Sequence, residues 1–289
     1  MKSLAFLFGV CWIGFAFTIS GAEKYELLRQ TLENFAYTHP GNISISFADL
    51  TNNRKVAIAE DRLFNPASVI KVPVMVEVYN QISQRKLSLD DRLILRKSDK
   101  IAGSGSLQFQ KTGNAYSIRT LVELMITLSD NTATHMLIER VGKENINRTM
   151  RDLGLKNTLV GSSDLLKAEG LNFSTPGDMT LLLTKIYHGH VVNRLASDDM
   201  LAVMRRQHVK WGIPKYLPSQ VHVANKTGTL AYVKNDTGIV FLDDRPYVIS
   251  VFTSKAANRP FGTTWVAQIS RIVYDWQMGE SDAEYGYVN

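Results

Sequence analysis

The 289-residue chain predicts an α+β fold: one antiparallel sheet built from both chain ends with flanking helices, plus an inserted all-helical lobe, with the active site between the lobes. Three observations predict it. Alternating strand-like runs occur near the N-terminus and again in the last third. Helix-period runs fill the middle. An amphipathic stretch stands at each end of the folded part. A composition of 45% hydrophobic and 21% charged residues is ordinary for a globular chain, and no repeat or low-complexity tract interrupts it.

Residues 1–22 read as a leader rather than as part of the fold. Lys2 gives a positive start, Leu4 to Ile19 is almost wholly apolar, and Ser20-Gly21-Ala22 supplies small residues before polar sequence begins at Glu23. That is the pattern of a secretory signal peptide. The run is short for a bilayer span and holds Gly9 and Gly14. Residues 23–289 are therefore expected as one exported catalytic domain, periplasmic or secreted, without stable membrane insertion once the leader is cut. The sheet lobe is expected at about 23–62 and 205–289, and the helical lobe at about 63–204. Cys11, the single cysteine, leaves with the leader. A mature chain without thiols needs no disulfide and excludes cysteine catalysis and thiolate–zinc sites. The formal charge is +6, one unit of it on Lys2. The basic residues are dispersed, with only Arg205-Arg206 adjacent, which argues against a nucleic-acid-binding stripe.

Along the mature chain, Leu27, Leu28, Leu32 and Phe35 have helical spacing over Glu23 to Thr38, and His39-Pro40-Gly41 ends the run. Ile43 to Asp49 alternates, Thr51-Asn52-Asn53 turns, and Lys55 to Glu60 runs back, which predicts a hairpin. Helices are predicted for Ser68 to Arg85, Ile118 to Leu128, Thr132 to Arg140 and Asp178 to His188, the last opened by Thr175-Pro176. Three β-rich runs follow, at Val221 to Thr229, Asp236 to Leu242 and Tyr247 to Thr253. Thr263 to Met278 closes as an amphipathic helix.

Three short motifs carry chemistry. In Ser68-Val69-Ile70-Lys71, residues i and i+3 share one helix face, so a lysine would stand beside a hydroxyl that needs a base to act as a nucleophile. Ser129-Asp130-Asn131 breaks two good helices, where a loop can present a second hydroxyl and an amide; all three residues are also good helix caps. Lys226-Thr227-Gly228-Thr229 falls on a predicted strand. A glycine there weakens the strand unless something approaches its backbone closely, and a substrate lying along that edge would do so.

In this order the three motifs resemble those of class A β-lactamases and penicillin-binding proteins. The resemblance extends to Ser104-Gly105-Ser106, Asn131-Thr132-Ala133 and Thr175-Pro176, and it covers nearly the whole mature chain. It implies Ser68 as nucleophile, Lys71 as its base and Ser129 as proton relay. It implies Asn131, Lys226, Thr227, Gly228 and Thr229 as substrate-binding positions, with the Ser68 and Thr229 N–H groups forming an oxyanion hole. The family also carries a glutamate that activates water for deacylation, four residues before an asparagine. Here Glu169 is the candidate, three residues before Asn172, in a shortened loop without the family's arginine partner; Asp164 is a poorer second candidate. The implied substrate is a small β-lactam or related acyl compound, handled by a monomer with no cofactor. The alternative is a penicillin-binding receptor, D,D-peptidase or esterase with slow or absent β-lactam turnover.

Other patterns carry less. His188-Gly189-His190 has a zinc-like spacing without a third ligand, and Gly189 reads as a helix stop, so no metal is expected. No Gly-x-Ser-x-Gly elbow surrounds Ser68. Gly103-Ser104-Gly105-Ser106 lacks the lysine of a phosphate loop.

Overall fold

Helix α1 (Gly21–Thr38) turns Leu28, Leu32 and Phe35 inward in this computed structural model, which describes residues 21–164, 170–255 and 264–279. The leader residues 1–20 lie outside the described residues. Strand β1 (Gly41–Asp49) folds back on β2 (Lys55–Ile58), with Asn53 in the left-handed region at φ 60°, a conformation asparagine tolerates.

The chain then crosses into the helical lobe. The helix expected from Ser68 begins instead as a 3-10 turn, Ala67–Ile70, and α2 (Lys71–Ser83) follows. Ala67 has φ 49°, so the chain enters this first turn from a left-handed residue, and the regular helix starts at Lys71. Pro73 falls in the first turn of α2, where a missing N–H costs nothing. Every residue from Lys71 to Tyr79 is buried, as befits a helix that is apolar on nearly all sides.

Two short strands, β3 (Arg92–Ile94) and β4 (Ala115–Ser117), form a separate ribbon. Helices α3 (Ile118–Thr127), α4 (Asn131–Val141), α5 (Lys143–Asp152), α6 (Pro176–Tyr187) and α7 (Arg194–Arg205) complete the lobe. The sequence reading missed the ribbon, α5 and α7. In α5 only Ile146 and Met150 are buried, too sparse a stripe to stand out.

The last third returns to the sheet with β5 (His222–Leu230), β6 (Val233–Phe241) and β7 (Tyr247–Lys255), and ends in α8 (Trp265–Met278). The strand order is β2-β1-β7-β6-β5, all antiparallel. Pairing of β1 with β7, from Gly41 opposite Lys255 to Asp49 opposite Tyr247, joins the two chain ends in one sheet. One sheet face packs Ile45, Phe47, Ile249 and Val251 against α1 and α8. The other packs Ala224, Ile239, Val248 and Phe252 against the helical lobe. Strand β5 is left at an edge, facing the turn that holds Ser68.

Candidate active site

Ser68 sits in the 3-10 turn and is partly exposed, between buried Ala67 and Val69. Pro66 fixes the approach at φ −72°, and the Asn65 Oδ1 accepts the Ala67 N–H at 2.9 Å. A left-handed alanine costs about 1–2 kcal/mol, so the surroundings must hold the turn in this shape.

Lys71 is fully buried. Its Nζ donates to the Ser129 carbonyl at 2.7 Å, to the Asn131 Oδ1 at 2.9 Å and to the Ser129 hydroxyl at 3.1 Å. The expected Lys71–Ser68 hydrogen bond is not among the contacts found. All three ammonium donors turn toward the second motif instead, because two carbonyl oxygens there would otherwise be buried unpaired. Burial, then the charge of Lys226, pushes the Lys71 amine well below the ordinary lysine range, while Asp130 opposes the shift. A neutral amine donates twice, to the two carbonyl oxygens, and keeps a lone pair to receive a proton.

Leu128, Ser129 and Asp130 link α3 to α4, with Ser129 between the C-cap of one and the N-cap of the other. Ser129 adopts φ 56°, outside either helix, which throws its carbonyl and hydroxyl toward Lys71. Asp130 caps α4 by accepting the Ala133 N–H at 2.8 Å, and it accepts the Ser106 and Leu107 N–H groups at 2.7 and 2.9 Å. Asn131 opens α4, and its Nδ2 donates to the Ala102 carbonyl at 2.9 Å. Capping and chemistry thus divide among three adjacent residues: Asp130 caps and orders the loop, and its neighbours reach the lysines.

Lys226 is also fully buried. Its Nζ donates to the Ser129 hydroxyl at 3.1 Å and to the Thr227 carbonyl at 2.8 Å. Burial lowers it to about 7, against the pull of Asp236. Asp236 is buried in turn and raised to about 7; Ile213 N–H, Asn225 and Lys226 all resist that shift. The Ser129 hydroxyl therefore bridges two lysines, both pushed below the ordinary lysine range by burial, Lys226 to about 7.

A Cβ at Gly228 would lie 2.4 Å from the Pro66 carbonyl oxygen and 3.1 Å from the Ser68 nitrogen. The close neighbour that demands glycine is the turn that holds Ser68. The same contact brings Ser68 against β5 and so beside Lys226, which shares that strand face two residues away. Thr227 is buried and Thr229 is exposed at the same end of the edge strand.

Asn172 lies apart from this cluster. It is 1% exposed; its Oδ1 accepts the Gly161 and Ser162 N–H groups at 2.8 and 3.0 Å, and its Nδ2 donates to the Ser162 carbonyl at 3.3 Å. It closes the base of the loop. Glu169 lies outside the described residues. Asp164 N–H donates to the Ser162 hydroxyl at 3.2 Å, within the same loop base. The rings of His188 and His190 stack 5.8 Å apart, and among the described residues no three His, Cys, Asp or Glu side chains cluster as a metal site would need. Sequence reasoning missed Asn225, Asn235 and Asp236. Their signal was present: a run of polar residues flanked by β-rich sequence.

Fold and seam together are those of a class A β-lactamase or penicillin-binding protein. The comparisons with known proteins agree. A model of the β-lactamase enzyme family matches residues 27–277. The β-lactamase BRO-1 of Moraxella catarrhalis is 24% identical over 223 residues, covering 74% of this chain and 71% of that protein. The crystal structure of a β-lactamase from Sphaerobacter thermophilus is 27% identical with a TM-score of 0.81, covering 88% of this chain and 97% of that one. The structure of PBP-A is 30% identical with a TM-score of 0.81, covering 86% and 95%. The chain belongs to the β-lactamase enzyme family, as a class A-like serine hydrolase.

Proposed function

We propose that the protein is an exported β-lactamase that opens β-lactam rings through an ester on Ser68. The carrying observation is the Ser129 hydroxyl, 3.1 Å from both Lys71 Nζ and Lys226 Nζ. The Ser68 Oγ attacks the lactam carbonyl carbon and its proton passes to the neutral Lys71 amine. The developing oxyanion is held by the Ser68 and Thr229 N–H groups. As the C–N bond breaks, the lactam nitrogen takes the Ser129 proton, which Lys71 replaces. Asn131 holds the substrate's side-chain amide, and Lys226 with Thr227 and Thr229 holds its carboxylate. Glu169 then removes a proton from the water that attacks the ester carbon; as the C–Oγ bond breaks, that proton passes to Ser68 Oγ, restoring the hydroxyl and the Glu169 carboxylate. The leader is cut before Glu23, so the mature enzyme works as a monomer outside the cytoplasm; N-terminal sequencing of the exported protein tests the cleavage.

The deciding experiment is steady-state turnover of a chromogenic cephalosporin followed by intact-protein mass. Many turnovers with a transient acyl adduct are expected. Penicillin labelling that survives in Ser68→Ala would move the nucleophile elsewhere. Glu169→Gln is expected to trap the ester; normal turnover in that variant would remove Glu169 from the mechanism.

A second reading, a penicillin-binding receptor or a slow D,D-peptidase or esterase, draws support from Asn172. Its Oδ1 already accepts two backbone N–H groups, so this oxygen is not free to accept from a deacylating water. One equivalent of product followed by a stable adduct is the outcome that favours this reading.

A further inference from the structure

Asn235 is a fully buried amide on β6, directly opposite Gly228 in the β5–β6 register. Its Oδ1 accepts the Thr253 N–H of β7 at 3.0 Å, and its Nδ2 donates to the Asn65 carbonyl at 2.9 Å. The first bond fixes the side chain to the centre of the sheet. The second reaches across to the residue that begins the nucleophile turn. Asn65 in turn accepts the Ala67 N–H on its own side chain, so a continuous chain of hydrogen bonds runs from β7 through Asn235 and Asn65 to the left-handed residue before Ser68.

Gly228 acts from the other half of the same cross-strand pair. Its missing Cβ lets the Pro66 carbonyl and the Ser68 nitrogen press against β5. One partner of the pair makes room for the turn and the other anchors it. A strained turn persists only where its surroundings over-determine it, and here Asn65 is held on its carbonyl while Ala67 is held on its N–H.

We infer that Asn235 is a positioning residue for Ser68, setting the height of the nucleophile turn above the edge strand and with it the direction of the Ser68 N–H and Oγ. The inference rests on Ser68 being the nucleophile. It assigns Asn235 no contact with substrate, so its loss lowers the acylation rate and spares substrate affinity.

Two variants and two probes test this. Asn235→Ala deletes both hydrogen bonds. Asn235→Asp keeps the shape and the bond from Thr253, but as a carboxylate it sets a negative oxygen against the Asn65 carbonyl; only its protonated form can donate there. Ser68 modification is followed by intact mass, once with penicillin G and once with an activated p-nitrophenyl phosphonate, which needs a positioned serine and no lactam chemistry. The dissociation constant of a non-covalent inhibitor bearing a carboxylate is measured alongside, with circular dichroism to verify folding.

Asn235→Ala is expected to slow both labels by roughly 10²-fold, the cost of a misplaced reacting group, with inhibitor affinity within about twofold of wild type. Asn235→Asp is expected to be slow at neutral pH and to regain rate, relative to wild type at the same pH, as acid protonates the new carboxyl. If Asn235→Ala does not fold, the pH profile of Asn235→Asp decides alone. Wild-type labelling rates in Asn235→Asp at every pH, or equal losses of rate and inhibitor affinity, would overturn the role. Wild type that takes the phosphonate but neither labels with penicillin nor hydrolyses it defeats the β-lactamase proposal and leaves this test intact. Wild type that takes neither defeats both.

Discussion

Lys226 is the residue at which charge and function meet most directly. A lysine that gives up its proton at about 7 is a cation below that pH and a neutral amine above it. If it receives a substrate carboxylate, kcat/KM, which reports the free enzyme, should fall as pH rises through about 7. The same lactam with its carboxylate masked as an ester should show no such fall. Lys71 works in the opposite sense: it must be neutral to accept the Ser68 proton, so acylation weakens toward acid for both substrates. A carboxylate-bearing substrate with no alkaline limb would remove Lys226 from carboxylate recognition.

Asp236 gives a second residue-scale prediction, this time in stability. Its proton leaves at about 7 in the folded chain and near the usual 3.8 in the unfolded one. Its contribution is fully present below about pH 4 and is lost as pH rises through 7. Lys226 is lowered from 10.5 to about 7, so the contribution it withholds below 7 is recovered as pH rises toward 10.5. Together the two groups stabilise least near neutrality. Asp236→Asn keeps an acceptor for the Ile213 N–H, bonded to Asp236 at 2.8 Å, and should flatten the drop in melting temperature between pH 4.5 and 7. An unchanged drop would mean that Asp236 titrates normally. At this scale the sequence was most legible for side chains that do chemistry at fixed spacing, such as Ser68, Ser129 and Lys226. It marked Asn235 and Asp236 only as polar residues flanked by β-rich sequence, because their hydrogen bonds arise only once β6 lies between β5 and β7.

At the scale of elements, one residue decides whether two helices meet correctly. Asp130 is 1% exposed and satisfies three backbone N–H groups, one in α4 and two in the Ser106–Leu107 segment. Asp130→Ala should cost about 2–4 kcal/mol, a helix cap of about 1 together with two hydrogen bonds of about 0.5–1.5 each. Urea denaturation measures it. Acylation should fall as well, because the left-handed Ser129 backbone loses its anchor; a variant of wild-type stability would contradict the accounting. Elements were legible wherever apolar spacing was dense, as in α1, α3 and α8. They were lost where it was sparse or broken by buried polar groups. The strand expected from Asp236 begins at Val233, because Lys234-Asn235 reads as a turn in the sequence although Asn235 is fully buried through side-chain hydrogen bonds. The 3-10 turn before α2 was hidden for another reason: nothing about an alanine announces φ 49°.

For the whole molecule, the topology makes the two lobes a single folding unit. The sheet lobe is discontinuous, since β1 must wait for β7, and the helical lobe buries its own apolar side on β5–β7 through Ala224, Ile239, Val248 and Phe252. Polar bonds cross the same seam: the Thr180 hydroxyl of α6 donates to the Ser46 carbonyl at 3.1 Å and to the Ser250 hydroxyl at 2.9 Å. That both chain ends build one sheet was visible in the sequence as strand patterns on either side of a helical middle. Where the lobes touch was not, because the contacts join residues 70 and 134 positions apart. The helical lobe completes its core on the sheet, so equilibrium unfolding should be one transition. The chain reports on both halves. Trp211, Trp265 and Trp276 belong to the core between the sheet and α1 and α8, while most helix, and hence most of the far-ultraviolet circular dichroism, belongs to the other lobe. Urea curves from tryptophan fluorescence and from circular dichroism should coincide in midpoint and slope. Curves separated by more than their fitting error would mean that the lobes unfold independently, and that Ser68 and Lys226 are held together by a seam weaker than the cores on either side.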